Sequence, residues 1–131
     1  ALEIRPALPA YLEDLARVEE KRGNFIEAAQ LLEQAIVLDP EGTARYRRLQ
    51  GSSLLAAQHW DEAAKALRAS LDADPKPWEV WRDLGAAEMG RRRREEAMQA
   101  FNQALDRVKD DKATQMLRRE REKARRMSDR A

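Results

Sequence analysis

Small residues recur in this chain at a fixed separation of twelve: Ala16 with Ala28, Gly51 with Ala63, and Gly85 with Ala97. The second member advances by 35 and then by 34 residues, and a glutamate precedes it each time, at Glu27, Glu62 and Glu96. Leu32, Leu67 and Phe101 follow four residues later, and Ala35, Ser70 and Ala104 seven later, so each set lines one helical face. Paired small side chains suit two antiparallel helices whose backbones approach at their crossing. A period of this length makes each helix pair a unit that cannot bury its apolar stripe alone, so neighbouring pairs stack into one core. Pro40 and Pro75 end the second helices of their units, while Pro9 and Pro77 suit helix starts, where the absent N–H costs nothing.

Composition agrees with helices that keep one wet face. Hydrophobic residues make up 43% and charged residues 37% of the 131 residues, with five glycines and five prolines, too few for many tight β-turns. The absence of cysteine excludes disulfide scaffolds, thiolate zinc sites and cysteine nucleophiles, and the single His59 excludes multi-histidine metal sites. The glycines are scattered and form no phosphate cradle, so no cofactor, small-molecule substrate or enzymatic activity is expected. Apolar runs are far shorter than the roughly 20 residues that span a bilayer. A net charge of +1 is too balanced for a dedicated nucleic-acid binder. The arginine-rich usage reads as bacterial, with cytoplasm and periplasm both open, and the start at Ala1 reads as a segment processed or excised from a longer protein.

These residues resemble the tetratricopeptide repeat family, whose unit reads W-x2-L-G-x2-Y, then A-x3-F, then a small residue and proline. The third copy supplies Trp81, Leu84, Gly85, Ala97, Phe101 and Ala104, with Glu88 for the tyrosine and Lys109 for the proline. The first supplies Leu12, Leu15, Ala16, Ala28, Leu32, Ala35 and Pro40, with Glu19 for the aromatic. The second supplies Gly51, Leu54, Ala63, Leu67 and Pro75, but Arg47 and Gln50 stand where the family buries Trp and Leu. Tyr46 and Leu49 lie one position early, as though that helix were rotated by about 100°. An extra residue near Glu41 and Gly42 accounts for the longer step.

The resemblance implies an all-α fold, a right-handed α-solenoid of antiparallel helix-turn-helix repeats. Residues 1–8 are expected to be a linker or a remnant of a preceding element, 9–42, 43–77 and 78–110 three repeats, and 111–131 a basic amphipathic capping helix. That helix would place Ala113, Met116, Leu117, Ala124 and Met127 on one stripe.

In this family the first helices line a concave groove that receives a protein or peptide segment. The matching positions are Glu13, Arg17 and Lys21, then Arg45, Arg48, Ser52 and Leu55, then Glu79, Arg82, Ala86 and Met89. Arg48 and Arg82 are equivalent, and two guanidinium groups in register suit bidentate capture of carboxylates, which favours an acidic or C-terminal partner segment; a mixed solvated surface is the plainer reading of the same positions and stays slightly ahead. The carboxylate clamp of chaperone-binding members is absent, because its positions hold Glu13, Arg17, Leu49, Glu79 and Asp83. The expected function is a non-enzymatic interaction scaffold, placed by analogy in a bacterial assembly, secretion or exopolysaccharide-export protein. An alternative uses the run Arg91, Arg92, Arg93 and Arg94 with the basic C-terminal helix to bind nucleic acid or another anionic polymer, against a plain solvated turn. A third is self-association to a homo-oligomer through the apolar face before Leu12. His59 reads as a solvated turn residue, and Trp78 is the tryptophan that packing leaves unexplained.

Overall fold

Helix formation follows the spacing. The computed structural model describes residues 8–128, and among them the chain forms seven α-helices and no strand. These are α1 (Leu8–Lys21), α2 (Phe25–Leu38), α3 (Thr43–Ala56), α4 (Trp60–Ala73), α5 (Trp78–Gly90), α6 (Arg94–Arg107) and α7 (Asp111–Arg126). The expected lead-in at 1–8 lies outside the described residues except for Leu8, the first residue of α1, and so do the last three residues of the expected cap.

Each helix packs chiefly on its neighbours in sequence, and α3 also touches α5, as stacked helix pairs require. Leu32, Leu67 and Phe101 sit in the three crossings and are essentially inaccessible to solvent. The small residues opposite them are needed for that closeness: a Cβ on Gly51 would lie 2.6 Å from the Leu67 side chain, and one on Gly85 would lie 2.7 Å from the Phe101 ring. Three core clusters each bridge adjacent units. Tyr46 of α3 joins Leu12, Ala16 and Leu32; Val80 and Leu84 of α5 join Ala63 and Leu67; Leu117 and Ala124 of α7 join Phe101 and Ala104.

The turn inside each pair repeats as well. Gly23, Gln58 and Arg92 hold the same place and have φ of 84°, 63° and 63°. Around each, one amide bonds back three residues and the next bonds back five, as in Asn24 N–H to Glu19 C=O, His59 N–H to Leu54 C=O and Arg93 N–H to Glu88 C=O. This is the Schellman closure, in which a left-handed residue lets the last helical carbonyls find donors. The extra residue of the longer step is absorbed in a 3-10 turn over Pro40–Gly42.

The suggested rotation of the second unit's first helix does not occur. Gly51 meets Leu67 as Gly85 meets Phe101, and Tyr46 is buried at the position where Val80 is buried in the next unit. Tyr46 can be buried without rotating the helix because its hydroxyl donates to Asp39 at 2.9 Å and its ring lies over Gly42. Gln50 stays inside because its side-chain amide donates to the Ala29 carbonyl at 3.0 Å, and Arg47 is held at 2.7 Å by Glu33.

Candidate functional site

The first helices α1, α3 and α5 present their matching positions side by side, and cross-helix bonds register them. Glu13, buried on α1, accepts from Arg17 at 2.7 Å and from Arg45 of α3 at 3.1 Å. Ser53 of α3 donates to Glu20 of α1 at 3.1 Å. Arg45 also donates to the Tyr46 hydroxyl at 3.2 Å and stacks on its ring with 4.8 Å to the centroid. The bond to Glu13 holds the Arg45 proton even more firmly than usual.

On α5, Arg82 bonds Asp83 at 3.1 Å and lies 5.4 Å from the centre of the Trp78 ring. That stacking gives Trp78 a role in addition to its packing on the last core cluster. Burial pushes the Asp83 carboxyl above its ordinary value; Arg82 and Arg48 oppose the shift and Glu79 adds to it. Arg48 and Arg82, equivalent by sequence, therefore share the field of one half-buried carboxylate. Arg48 itself forms no hydrogen bond or ion pair among the described residues. It lines, with Arg45, a cleft of about 270 Å³ whose other walls include Asp74, Pro77 and Val80.

The remaining expected groove residues are not all equally available. Ser52, Glu79 and Ala86 are half-buried, Leu55 packs against the middle core cluster and Met89 against the last. Arg17 is exposed and committed to Glu13. The structure thus brings Arg45 and Arg48 to one cleft, links Arg17 to Arg45 through their shared partner Glu13, and sets Asp83 between Arg82 and Arg48. Sequence reasoning missed Asp83 as their shared counter-charge. Adjacent residues on a helix diverge by about 100°, so the signal was the match between α3 and α5 and not the neighbouring Arg82.

The arginine run is largely engaged within the fold. Arg91 bonds Asp61 at 2.7 Å and Glu88 at 3.2 Å, Arg92 is the left-handed turn residue, and Arg93 pairs with Glu96 at 3.8 Å. On α7, Arg125 and Arg126 both bind Glu122 and hold its carboxyl down at about 2, Lys123 pairs with Glu120, and Arg121 donates to Asn102. Arg121, Lys123, Arg125 and Arg126 are thus spent on local pairs, while Lys112, Arg118 and Arg119 are exposed and form no ion pair among the described residues.

Comparison with known proteins follows the same lines. The tetratricopeptide repeat family profile matches residues 48–112. The human tetratricopeptide repeat protein 7A is 31% identical over 90 residues, 69% of this chain, and the chain spans about 10% of that relative's length. Among solved structures, the Yersinia enterocolitica type III secretion chaperone SycD in complex with a peptide of the translocator YopD superposes with a TM-score of 0.80. It is 16% identical, and the match covers 88% of this chain and 91% of that one. The first TPR of Spaghetti (RPAP3), bound to the HSP90 peptide SRMEEVD, gives a TM-score of 0.75 at 17% identity, covering 88% and 94%.

Proposed function

The chain belongs to the tetratricopeptide repeat family, and from that premise we propose that it is a non-enzymatic protein–protein interaction scaffold whose first helices hold a partner segment. The three repeats and the cap at 9–42, 43–77, 78–110 and 111–131 are its working units. The observation that carries the reading is Arg48, a half-buried arginine with no ion pair among the described residues, beside Arg45 in the 270 Å³ cleft. A cation so placed gains most from a carboxylate supplied from outside. The bound segment is therefore acidic, runs past Arg45 and Arg48, and reaches Arg82, Ala86 and Met89 on α5. That two neighbours of this fold carry peptides supports the reading. The segment is held differently from a chaperone C-terminus, because Glu13, Arg17, Leu49, Glu79 and Asp83 occupy the clamp positions. Its placement in a bacterial secretion or assembly protein rests on analogy with the Yersinia chaperone alone.

The test is selection of a random peptide library with free C-termini against the whole chain, followed by Arg48→Gln. Enriched peptides are expected to be acidic and to lose about 2 kcal/mol or more of binding in the variant. The melting temperature should hold, since surface changes away from packing move stability by about 0.5 kcal/mol at most. Peptides that bind the variant as tightly as the parent would move the site off this face.

A further inference from the structure

Of the two internal seams between repeats, the first is open where the second is closed. A cleft of about 370 Å³ lies between α2 and α4 over α3, lined by Leu54, Ala66 and Ala69 and by the ion pair of Arg47 with Glu33. One repeat later the same register holds Trp81 for Arg47, Gln103 for Ala69 and Arg107 for Ala73. Those three side chains form a lid. The Trp81 indole N–H and the Arg107 guanidinium both donate to the Pro75 carbonyl at 2.8 Å, and Arg107 also donates to the Gln103 side chain at 2.6 Å. The Arg107 guanidinium stacks on the Trp81 ring with 5.0 Å to the centroid. Arg68 then spans the rest of that seam to Glu88, whereas Glu33, at the place of Arg68, turns to Arg47, and Leu54, at the place of Glu88, is apolar.

The first seam therefore keeps one half of a stacked pair. Arg47 is fixed by Glu33 and by Gln50, each accepting from it at 2.7 Å, and a guanidinium held in this way offers a face to an aromatic ring. The ring itself is missing. Charge and shape narrow down what supplies it. Glu33 and Glu62 balance Arg47 and Lys65 around the cleft, so a net charge on the occupant gains little. A ring with an N–H gains more, because it covers Leu54 and the alanines while its donor finds a carboxylate at the rim. The rim is open, with the Glu33 and Glu62 side chains 52% and 64% exposed, whereas sites for free small molecules enclose about 70–90% of the ligand. An aromatic anchor projecting from a protein surface needs no such enclosure.

We propose that the cleft between α2 and α4 receives a tryptophan side chain of a partner protein, stacked on Arg47 and seated on Leu54, Ala66 and Ala69. The cleft shares no lining residue with that of Arg45 and Arg48, so this site and the groove proposed above can fail separately.

The probe is a glycine pentapeptide with tryptophan at its centre and both ends blocked, titrated into the isotope-labelled whole chain and followed by NMR. Saturable shifts are expected at Gln50, Leu54, Ala66 and Ala69, and the same peptide with leucine at its centre should bind at least about threefold more weakly, for want of the stacking on Arg47. Ala69→Gln puts into the cleft the side chain that Gln103 holds one repeat later, and should weaken binding by at least about tenfold because it takes the space of the ring. The next unit already carries glutamine at this place, so the fold survives, and the melting temperature checks this. Arg48→Gln should change nothing. Absence of saturable shifts, or equal binding by the leucine peptide or by Ala69→Gln, would overturn the proposal. A loss with Arg48→Gln would move the ring to the other cleft. Free 3-methylindole binding more tightly than the peptide would give the cleft to a small molecule, and would overturn the docking of a protein side chain.

Discussion

At Gly85 the crossing of α5 and α6 leaves room for a hydrogen atom and little else, because the Phe101 ring that a Cβ would strike is itself 1% exposed and cannot swing away. Alanine gains about 1 kcal/mol of helix propensity over glycine, but a methyl group forced into a packed core costs about 1–3 kcal/mol. Gly85→Ala is therefore expected to lower the unfolding free energy by up to about 2 kcal/mol in urea titration; an unchanged or raised midpoint would show that the ring has another place to go. Asp83 gives a prediction in pH. Its folded-state carboxyl is raised above its ordinary value of 3.8, mainly by burial. The stability it contributes is complete below that ordinary value and is lost as pH rises through the raised one. Asp83→Asn cannot ionise, so its melting temperature relative to the parent should be more favourable at pH 7 than at pH 3. A difference independent of pH would remove Asp83 from the balance. Glu33 runs the other way: bonds from Arg47 and Gln50 hold it below its ordinary value, so its contribution is present at neutral pH and lost on acidification. Comparing Asp83→Asn with the parent cancels that opposing trend.

Between elements, the two inner seams use opposite charge order. Glu33 of α2 faces Arg47 of α3, whereas Arg68, at the place of Glu33 one unit later, faces the fully buried Glu88 of α5. A mispaired stack would bring Glu33 to Glu88 or Arg68 to Arg47, so the seams oppose any other order of repeats. Removing both cationic partners of Glu88 leaves a carboxylate in the core. Arg68→Ala with Arg91→Ala is expected to cost about 3–5 kcal/mol, and adding Glu88→Met should recover most of it, because an apolar side chain of similar volume needs no counter-charge. If the triple variant is no more stable than the double, Glu88 does not depend on its arginines. Glu88 also marks the limit of what the sequence shows. The helices and their crossings were legible because small residues and apolar periodicity are local signals. Glu88 looked like a lost tyrosine, and its partner Arg68 lies 20 residues away on another helix. The apparent rotation of α3 has the same origin: Tyr46 looked misplaced until Asp39 and Gly42 supplied its bond and its space. Glu13, Arg45, Arg48 and Arg82 could be placed on one face by register alone, but the bond between Glu13 and Arg45 and the charge of Asp83 beside Arg48 and Arg82, which decide how much of the basic charge is free, could not.

For the whole molecule, contacts run almost entirely between neighbouring helices, so stability propagates along the array and is lost from its ends. The first and last described helices differ. α1 leaves Tyr11 and Val18 in solvent, while α7 seals α6 with Leu117 and Ala124, both fully buried, and turns its charges outward. Its start is fixed by Asp110, whose carboxylate accepts the Ala113 amide at 2.8 Å, and basic residues fill its last turn, where they suit the helix dipole. Leu117 is the side chain that holds this cap. Leu117→Ala should therefore cost about 2–5 kcal/mol, as expected for a buried leucine replaced without refilling its space. In a globular core that loss would lower protection everywhere. In a nearest-neighbour array it should fall on α7 and α6, with amide exchange there accelerating while α1 to α3 keep their rates under native conditions. Hydrogen exchange resolved by helix decides the point: a uniform rise along all seven helices would mean that the repeats unfold as one cooperative body.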